Sequence, residues 1–348
     1  MTAGAFDAIL LASFGGPEGQ DDVIPFLRNV TAGRGVPDDR LEEVAHHYRA
    51  HGGVSPINQQ NRELKAALEA ELARRGLDLP VVWGNRNWGP YFVDAFRELR
   101  DAGHRRILVL VTSAYTSYSG VGQYREDFDK ALAETGVDLE LHRIREFFDH
   151  PGFVAPLAAG LRAALDRAPE GSRVLFVTHS IPTAAALASG PEFGEGGAYV
   201  AQHLAGAEAI LRLADAADVP WELVYQSRSG SPHVPWLEPD INDAIDALAD
   251  QGVPGVVIVP FGFVSDHMEV VWDLDTEAVE TATGHGMHVE RIPTPGTDPL
   301  FVAGLVDLVE ERVNDTPDAE RPHLTDLGPW PDHAPQTASS APTATVSA

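Results

Sequence analysis

Short apolar runs alternate with longer amphipathic stretches, and the alternation passes through the chain twice in the same order. ILVLV at 107–111 and VVIVP at 256–260 carry no polar side chain at all. A strand that reads this way is covered on both faces, the condition of a parallel sheet flanked by helices. Strands are expected at Ala8–Phe14, Val81–Asn85, Ile107–Thr112 and Leu139–Ile144, then at Arg173–Thr178, Glu222–Gln226, Gly255–Phe261 and Met287–Arg291. Between them, helical periodicity covers about 39–50, 59–75, 91–102, 121–134, 152–167, 197–217, 239–250, 268–283 and 298–313. This is the pattern of βα units, and the fold class is α/β with two Rossmann-like halves.

The two sets read as copies. ILLASFGGP (9–17) matches VLFVTHSIP (174–182), and VVWGNRNWGP (81–90) matches LVYQSRSGSP (223–232), pairing Arg86 with Arg228 and Pro90 with Pro232. ILVLVTSAYTS (107–117) matches VVIVPFGFVSD (256–266) by position after the strand. We therefore expect an internal duplication with an N-terminal domain over 1–168 and a C-terminal domain over 169–314, breaking near 165–172 at RAPEGS. An insertion at about 18–76 is expected to form a lid or pocket wall. The Pro-, Ala-, Ser- and Thr-rich tail, 315–348, is expected to be disordered. Ligands of open parallel sheets bind outside the C-terminal ends of the strands, so two facing domains share a cleft there. In this arrangement Phe14 falls opposite His179.

One stretch after the seventh strand carries ordered acid groups. In PFGFVSDHMEVVWDLDTEAVE (260–280), Glu269, Asp273 and Glu277 are spaced i, i+4, i+8, which places them on one helical face. Like charges in a row repel, and Val270, Val271, Trp272 and Leu274 among them imply partial burial. Such carboxylates need a cation, a partner or a proton. A solvated surface face is the competing explanation, since charge runs usually are one. His179, at the mouth of its strand in FVTHSIP, is the imidazole able to meet this row, and a mixed N/O set suits ferrous iron, zinc or cobalt. His46, His47 and His51 read as surface residues of a polar helix. Asp266 and His267 are candidate caps for the acidic helix.

Composition narrows the classes. A formal net charge of −27 with only two lysines, Lys65 and Lys130, disfavours nucleic acid or an anionic membrane as partner. The chain has no cysteine, which removes disulfides, thiolate chemistry and Cys-ligated clusters. Neither GxGxxG nor GxxxxGK[ST] occurs in ASFGGPEG, and THSIP is not a hydrolase elbow. No signal peptide or membrane-spanning run is read, so a cytoplasmic enzyme, without membrane insertion, is expected.

SFGGPEGQDDVIPFL, GGVSPINQQN, QYRED, FVTHSIP and FGFVSDHMEVVWDLDTE, in that order, resemble the ferrochelatases over about residues 6–313. The resemblance is nearest to the actinobacterial type, which implies insertion of ferrous iron into coproporphyrin III, with iron as substrate and no permanent cofactor. It implies that His179 is the catalytic, metal-binding histidine and Glu269 the essential glutamate, with Asp273 and Glu277 continuing a metal or proton path. It also implies that Ser55 and Tyr124 contact the porphyrin, as does Phe14. Phe14 stands where several relatives have an iron-ligating tyrosine. Some actinobacterial members hold an iron–sulfur cluster through cysteines that this chain lacks. Arg28, Arg34 and Arg49 are candidates for substrate propionates, and a monomer is expected. Protoporphyrin IX as substrate, cobalt insertion into sirohydrochlorin, a non-catalytic tetrapyrrole carrier and a metal-dependent hydrolase are the alternatives.

Overall fold

The computed structural model describes residues 6–33, 35–229 and 233–338. Arg34, Pro232 and the last ten residues of the tail, about which expectations were stated, lie outside the described residues. The first half runs β1 (Ala8–Ser13), α1 (Val23–Val30), α2 (Asp38–Ala50), α3 (Ile57–Arg75), β2 (Val81–Asn85), α4 (Phe92–Asp101), β3 (Arg106–Val111), α5 (Gln123–Thr135), β4 (Glu140–Arg143) and α6 (Pro151–Leu165). The second runs β5 (Arg173–His179), α7 (Thr183–Ala188), α8 (Gly197–Leu213), β6 (Trp221–Gln226), α9 (Ile241–Asp250) and β7 (Gly255–Val259). It continues through α10 (Met268–Val270), a π-helical stretch Val271–Ala278 and α11 (Val279–Gly284) to β8 (His288–Arg291) and α12 (Pro299–Val313). Helices α1 and α7 were not read from the sequence.

The two sheets have one topology. The first is ordered β2-β1-β3-β4, with a two-residue strand β9 (Gln336–Thr337) added antiparallel at its edge, and the second β6-β5-β7-β8, all parallel. Register makes the duplication specific. Ile9 pairs with Val81 and Val174 with Trp221, while Ala8 pairs with Ile107 and Arg173 with Val256. The matches 9–17 to 174–182 and 107–117 to 256–266 therefore hold in register, and Phe14 and His179 occupy equivalent positions. The middle match is displaced by two residues: Val81 corresponds to Trp221, so Arg86 corresponds to Gln226 rather than Arg228. The counterpart of Pro90 is Pro239, not Pro232. Pro90 O accepts from Asn85 N at 2.7 Å and Pro239 O accepts from Tyr225 N at 3.0 Å, each just before the next helix.

Strands β1, β3, β5 and β7 are apolar along their middles, with polar residues confined to their ends, because both faces are covered. Helices α4 and α5 cover one face of the first sheet and α9 with the acidic helix one face of the second. The remaining faces share a single core with α3, α6, α8 and α12, in which Leu110, Phe176, Phe148, Ile210 and Leu305 belong to one cluster. The last helix of the second half packs against α3 and α6 of the first, so the two sheets are fused through a common interior.

The expectation of disorder from residue 315 is corrected for 316–338. Arg321 pairs with Asp332, and Arg145, fully buried, donates to Glu311 and to Pro322 O. His333 reaches buried Glu146, and Gln336 donates to Arg125 O and Asp129. Charge pairing and Trp330 against Phe148 hold this segment where apolar periodicity is lacking.

Candidate active site

The loops that leave the two central strands carry the site. After β1, Gly16 is gripped by the insertion: its N–H donates to Asn58 Oδ1 at 3.2 Å and its carbonyl accepts from Asn58 Nδ2 at 3.0 Å. A side chain at Gly16 would stand 2.7 Å from Ser55 Cβ, so SFGGP and SPINQQN are two halves of one joint. Phe14, 38% exposed, projects from this loop edge-on to Phe26, 6.4 Å between centroids. Phe26 in turn contacts Tyr48 of α2, and α1, α2 and Met268 form one apolar cluster. The insertion thus connects the Phe14 loop to the start of the acidic helix.

After β7 the chain crosses directly over β5. A Cβ at Gly262 would lie 2.3 Å from Thr178 Oγ1, and Gly262 N donates to Val177 O. Only glycine permits that approach, which delivers Glu269 to the end of β5. There His179 Nε2 lies 3.4 Å from Glu269 Oε2, with 33% and 49% of the two side chains exposed. Desolvation lowers the His179 pKa, but its bond to Glu269 and the surrounding carboxylates outweigh this and raise it above 6.5. Desolvation likewise pushes Glu269 up, yet His179, His267 and His47 bring it down to about 2. Each group thus favours the charged form of the other.

Glu269 lies on the short helix α10, while Asp273 and Glu277 lie on the π-helical stretch that continues it rather than on the single α-helix expected. Hydrogen bonds spanning five residues widen the turn, so positions four apart fall just short of a full turn and remain on one side. Burial, with Glu269 and Glu277 nearby, raises the Asp273 pKa to about 7 against the bond from Ser227. Ser227 Oγ donates to Asp273 Oδ2, and Gln226 Nε2 lies 3.3 Å from the same oxygen. Ser227 holds this place with a φ of 59°, a left-handed conformation uncommon for non-glycine residues. Glu277 accepts from Trp272 Nε1 at 2.8 Å.

Several expected placements change. His47 stacks on Trp272, and desolvation lowers its pKa although Glu277 and Glu269 oppose this. His46 and His51 also lie 6.0 Å from that indole, so the two histidines of α2 and His51 at its end form an aromatic wall beside the row. Asp266 does not cap the helix. Its carboxylate accepts from Arg291 at 2.6 Å and Thr294 at 3.1 Å, while His267 does stand at the N-cap position, without a side-chain cap bond. Arg28 and Arg49 are already paired at the surface with Asp38 and Glu42. Ser55 and Tyr124 are 3% and 4% exposed, and Tyr124 sits in the core beneath Arg86, whose guanidinium is 4.8 Å from the ring centroid. A cavity of about 360 Å³ lined by Gln60, Glu63, Asp266 and residues 293–298 does not include His179 or Glu269. Among the described residues no three His, Asp or Glu side chains converge as a metal cage.

Tyr48, Ser227 and Gln226 were missed in the sequence. Ser227 had a signal, since a small polar residue at a strand end of the second copy occupies the position at which site loops begin.

A ferrochelatase family model matches residues 6–313. The coproporphyrin III ferrochelatase of Leifsonia xyli is 60% identical over 94% of this chain and 89% of its own length. That of Streptomyces griseus is 55% identical over 95% and 92%. Among solved structures, SirB from Bacillus subtilis with ferric iron superposes with a TM-score of 0.53 at 13% identity, over 91% of this chain and 99% of SirB, a likeness of fold. Among the described residues no helix is long and apolar enough to cross a membrane. With a duplicated α/β fold, a family match across nine-tenths of its length and relatives at this identity, the chain belongs to the ferrochelatase family.

Proposed function

We propose that this protein inserts ferrous iron into coproporphyrin III, a lyase reaction of haem biosynthesis in which two pyrrolic protons leave as the metal enters. One observation carries the reading: an imidazole and a carboxylate 3.4 Å apart at the C-terminal edge of the second sheet, backed by a carboxyl group that titrates near neutrality. Porphyrin metallation needs that combination, a group to receive N–H protons and oxygen or nitrogen donors that hold a divalent ion in passing.

In this reading His179 accepts a pyrrolic proton at Nε2 once it is neutral, and Glu269 shares iron or the proton with it. Asp273, poised at about pH 7, passes protons along the row, and Glu277 receives them or meets incoming iron at the exposed end. Two protein donors leave the rest of the iron shell to water and then to pyrrole nitrogens, which favours transfer over storage. The macrocycle enters between the Phe14 loop and His179, in a cleft between halves at about 1–168 and 169–314, with the insertion as its wall. Phe14 faces the ring, while Ser55 and Tyr124 shape the surface from behind. In this reading the enzyme acts as a monomer.

The test is to incubate the purified protein with coproporphyrin III, protoporphyrin IX or sirohydrochlorin, plus ferrous iron or cobalt, and follow the absorption spectrum. Fast metallation of coproporphyrin III by iron is expected. Preference for protoporphyrin IX or for cobalt into sirohydrochlorin would replace the substrate, and binding without metallation would make the protein a carrier.

A further inference from the structure

The Nε2 of His179 is aimed at Glu269 although His179 is the last residue of its strand, where the ladder ends and the chain turns toward Pro182. A strand terminus does not by itself hold an imidazole, so the aim must come from neighbours. Two buried residues supply it from opposite sides. Tyr199 of α8 donates its hydroxyl to the carbonyl of His179 at 2.8 Å. With that proton committed, Thr178 Oγ1, 2.8 Å away, donates to the phenolic oxygen. The Tyr199 ring is itself fixed, edge-on to buried His203, whose Nδ1 donates to Tyr199 O.

On the other side the carbonyl of Ser180 accepts from His179 Nδ1. Ser180 is itself tied twice: its N–H donates to Gln226 O at 2.8 Å and its hydroxyl to Leu237 O at 2.8 Å. A donor commitment at Nδ1 leaves Nε2 as the nitrogen that faces the cleft. Ser180 is 1% exposed and Tyr199 5%, so neither is available to substrate.

We infer that Ser180 and Tyr199 are positioning residues that clamp His179, one through its ring and one through its backbone, and so set the direction of Nε2. The inference rests on the proposed reaction, in which His179 Nε2 meets the pyrrolic protons. Displacement of a reacting group by about 1 Å costs on the order of a hundred-fold in rate, so loss of either tie is expected to fall on turnover rather than on porphyrin binding.

Tyr199→Phe keeps the ring and removes only the hydroxyl, and Ser180→Ala removes the bond to Leu237. We expect kcat to drop about ten-fold or more in each, with KM for porphyrin within two-fold and activity restored toward the parent in Ser180→Thr. Nitrogen-15 spectra of the parent should show His179, when neutral, protonated at Nδ1, and that signature should weaken in Ser180→Ala. Turnover within two-fold of the parent in both single variants would overturn the clamp. So would a loss explained entirely by a smaller folded fraction, or an unchanged tautomer signature in Ser180→Ala. A parent without chelatase activity would instead remove the proposed function, and the nitrogen-15 result would still judge the clamp.

Discussion

The imidazole of His47 lies flat on the indole of Trp272, ring centroids 4.2 Å apart and planes 8° from parallel. This contact joins the insertion to the acidic helix, and the same indole donates Nε1–H to Glu277. Trp272→Phe preserves a stacking face and removes the donor. A hydrogen bond to a charged group at a partly exposed site contributes about 1 kcal/mol, so its loss corresponds to roughly five-fold in an equilibrium. We predict that KM for ferrous iron rises by about that factor while kcat at saturating iron is unchanged. Steady-state rates across an iron titration check this, and an unaltered KM for iron would remove Glu277 from the metal's route.

The pH dependence of turnover should report the His179–Glu269 pair. Glu269 raises the His179 pKa above 6.5, and protonated imidazole has no lone pair for a pyrrolic proton. Activity is therefore low below the raised pKa and climbs as pH passes through it. Glu269→Gln removes the charge that holds the proton, so the rising limb of kcat/KM should move to lower pH even as the maximum falls. A limb that stays in place would show that another group controls it.

Asp273 links the site to stability. Its pKa rises from 3.8 to about 7 on folding. Between those values the native chain holds a proton that the unfolded chain has released, so stability decreases as pH rises across this window. At about 1.4 kcal/mol per unit, the penalty above pH 7 amounts to roughly 2–4 kcal/mol after allowance for its partial exposure. Asp273→Asn should raise the urea midpoint over the parent at pH 8 and leave it unchanged at pH 4. Equal shifts at both pH values would contradict the assignment.

Much of this was written locally in the chain. Strands β3 and β7 are apolar at nearly every position, and that property alone announces covered parallel sheets. The register error at β2 and β6 was two residues, a slip that returns every side chain to its original face and leaves the apolar pattern intact. Only the ladder, Val81 against Ile9 and Trp221 against Val174, separates the two alignments. The meeting of His179 with Glu269 was legible because each lies in a distinctive motif at a strand or helix end. The role of His47 was not, because its partner lies more than 200 residues away and α2 by itself looks like a polar surface helix. Tyr199 has the same history, as an ordinary core aromatic until its hydroxyl meets the carbonyl of His179.

The C-terminal segment gives the last prediction. The family match ends at residue 313, and the composition beyond it is that of a loose tail. Yet Arg145 and Asp149, both fully buried, depend on it: Arg145 donates to Pro322 O, Asp149 O accepts from Leu324 N, and Thr325 donates to the Asp149 carboxylate. Glu146, equally buried, would keep Arg143 but lose His333. Arg145 keeps Glu311, so the loss is a set of hydrogen bonds to buried charged groups, each about 1.5–3 kcal/mol, more than the apolar area of such a polar segment suggests. A chain ending at Asp315 should therefore unfold at a clearly lower urea concentration, by an equivalent of ~3 kcal/mol or more. The contacts of this segment with the second half, at Arg212 and Phe193, involve neither the acidic row nor His179, so the folded fraction of the shortened chain should retain its metallation rate. An unfolding midpoint equal to the parent's would mean that these buried charges find water or one another instead.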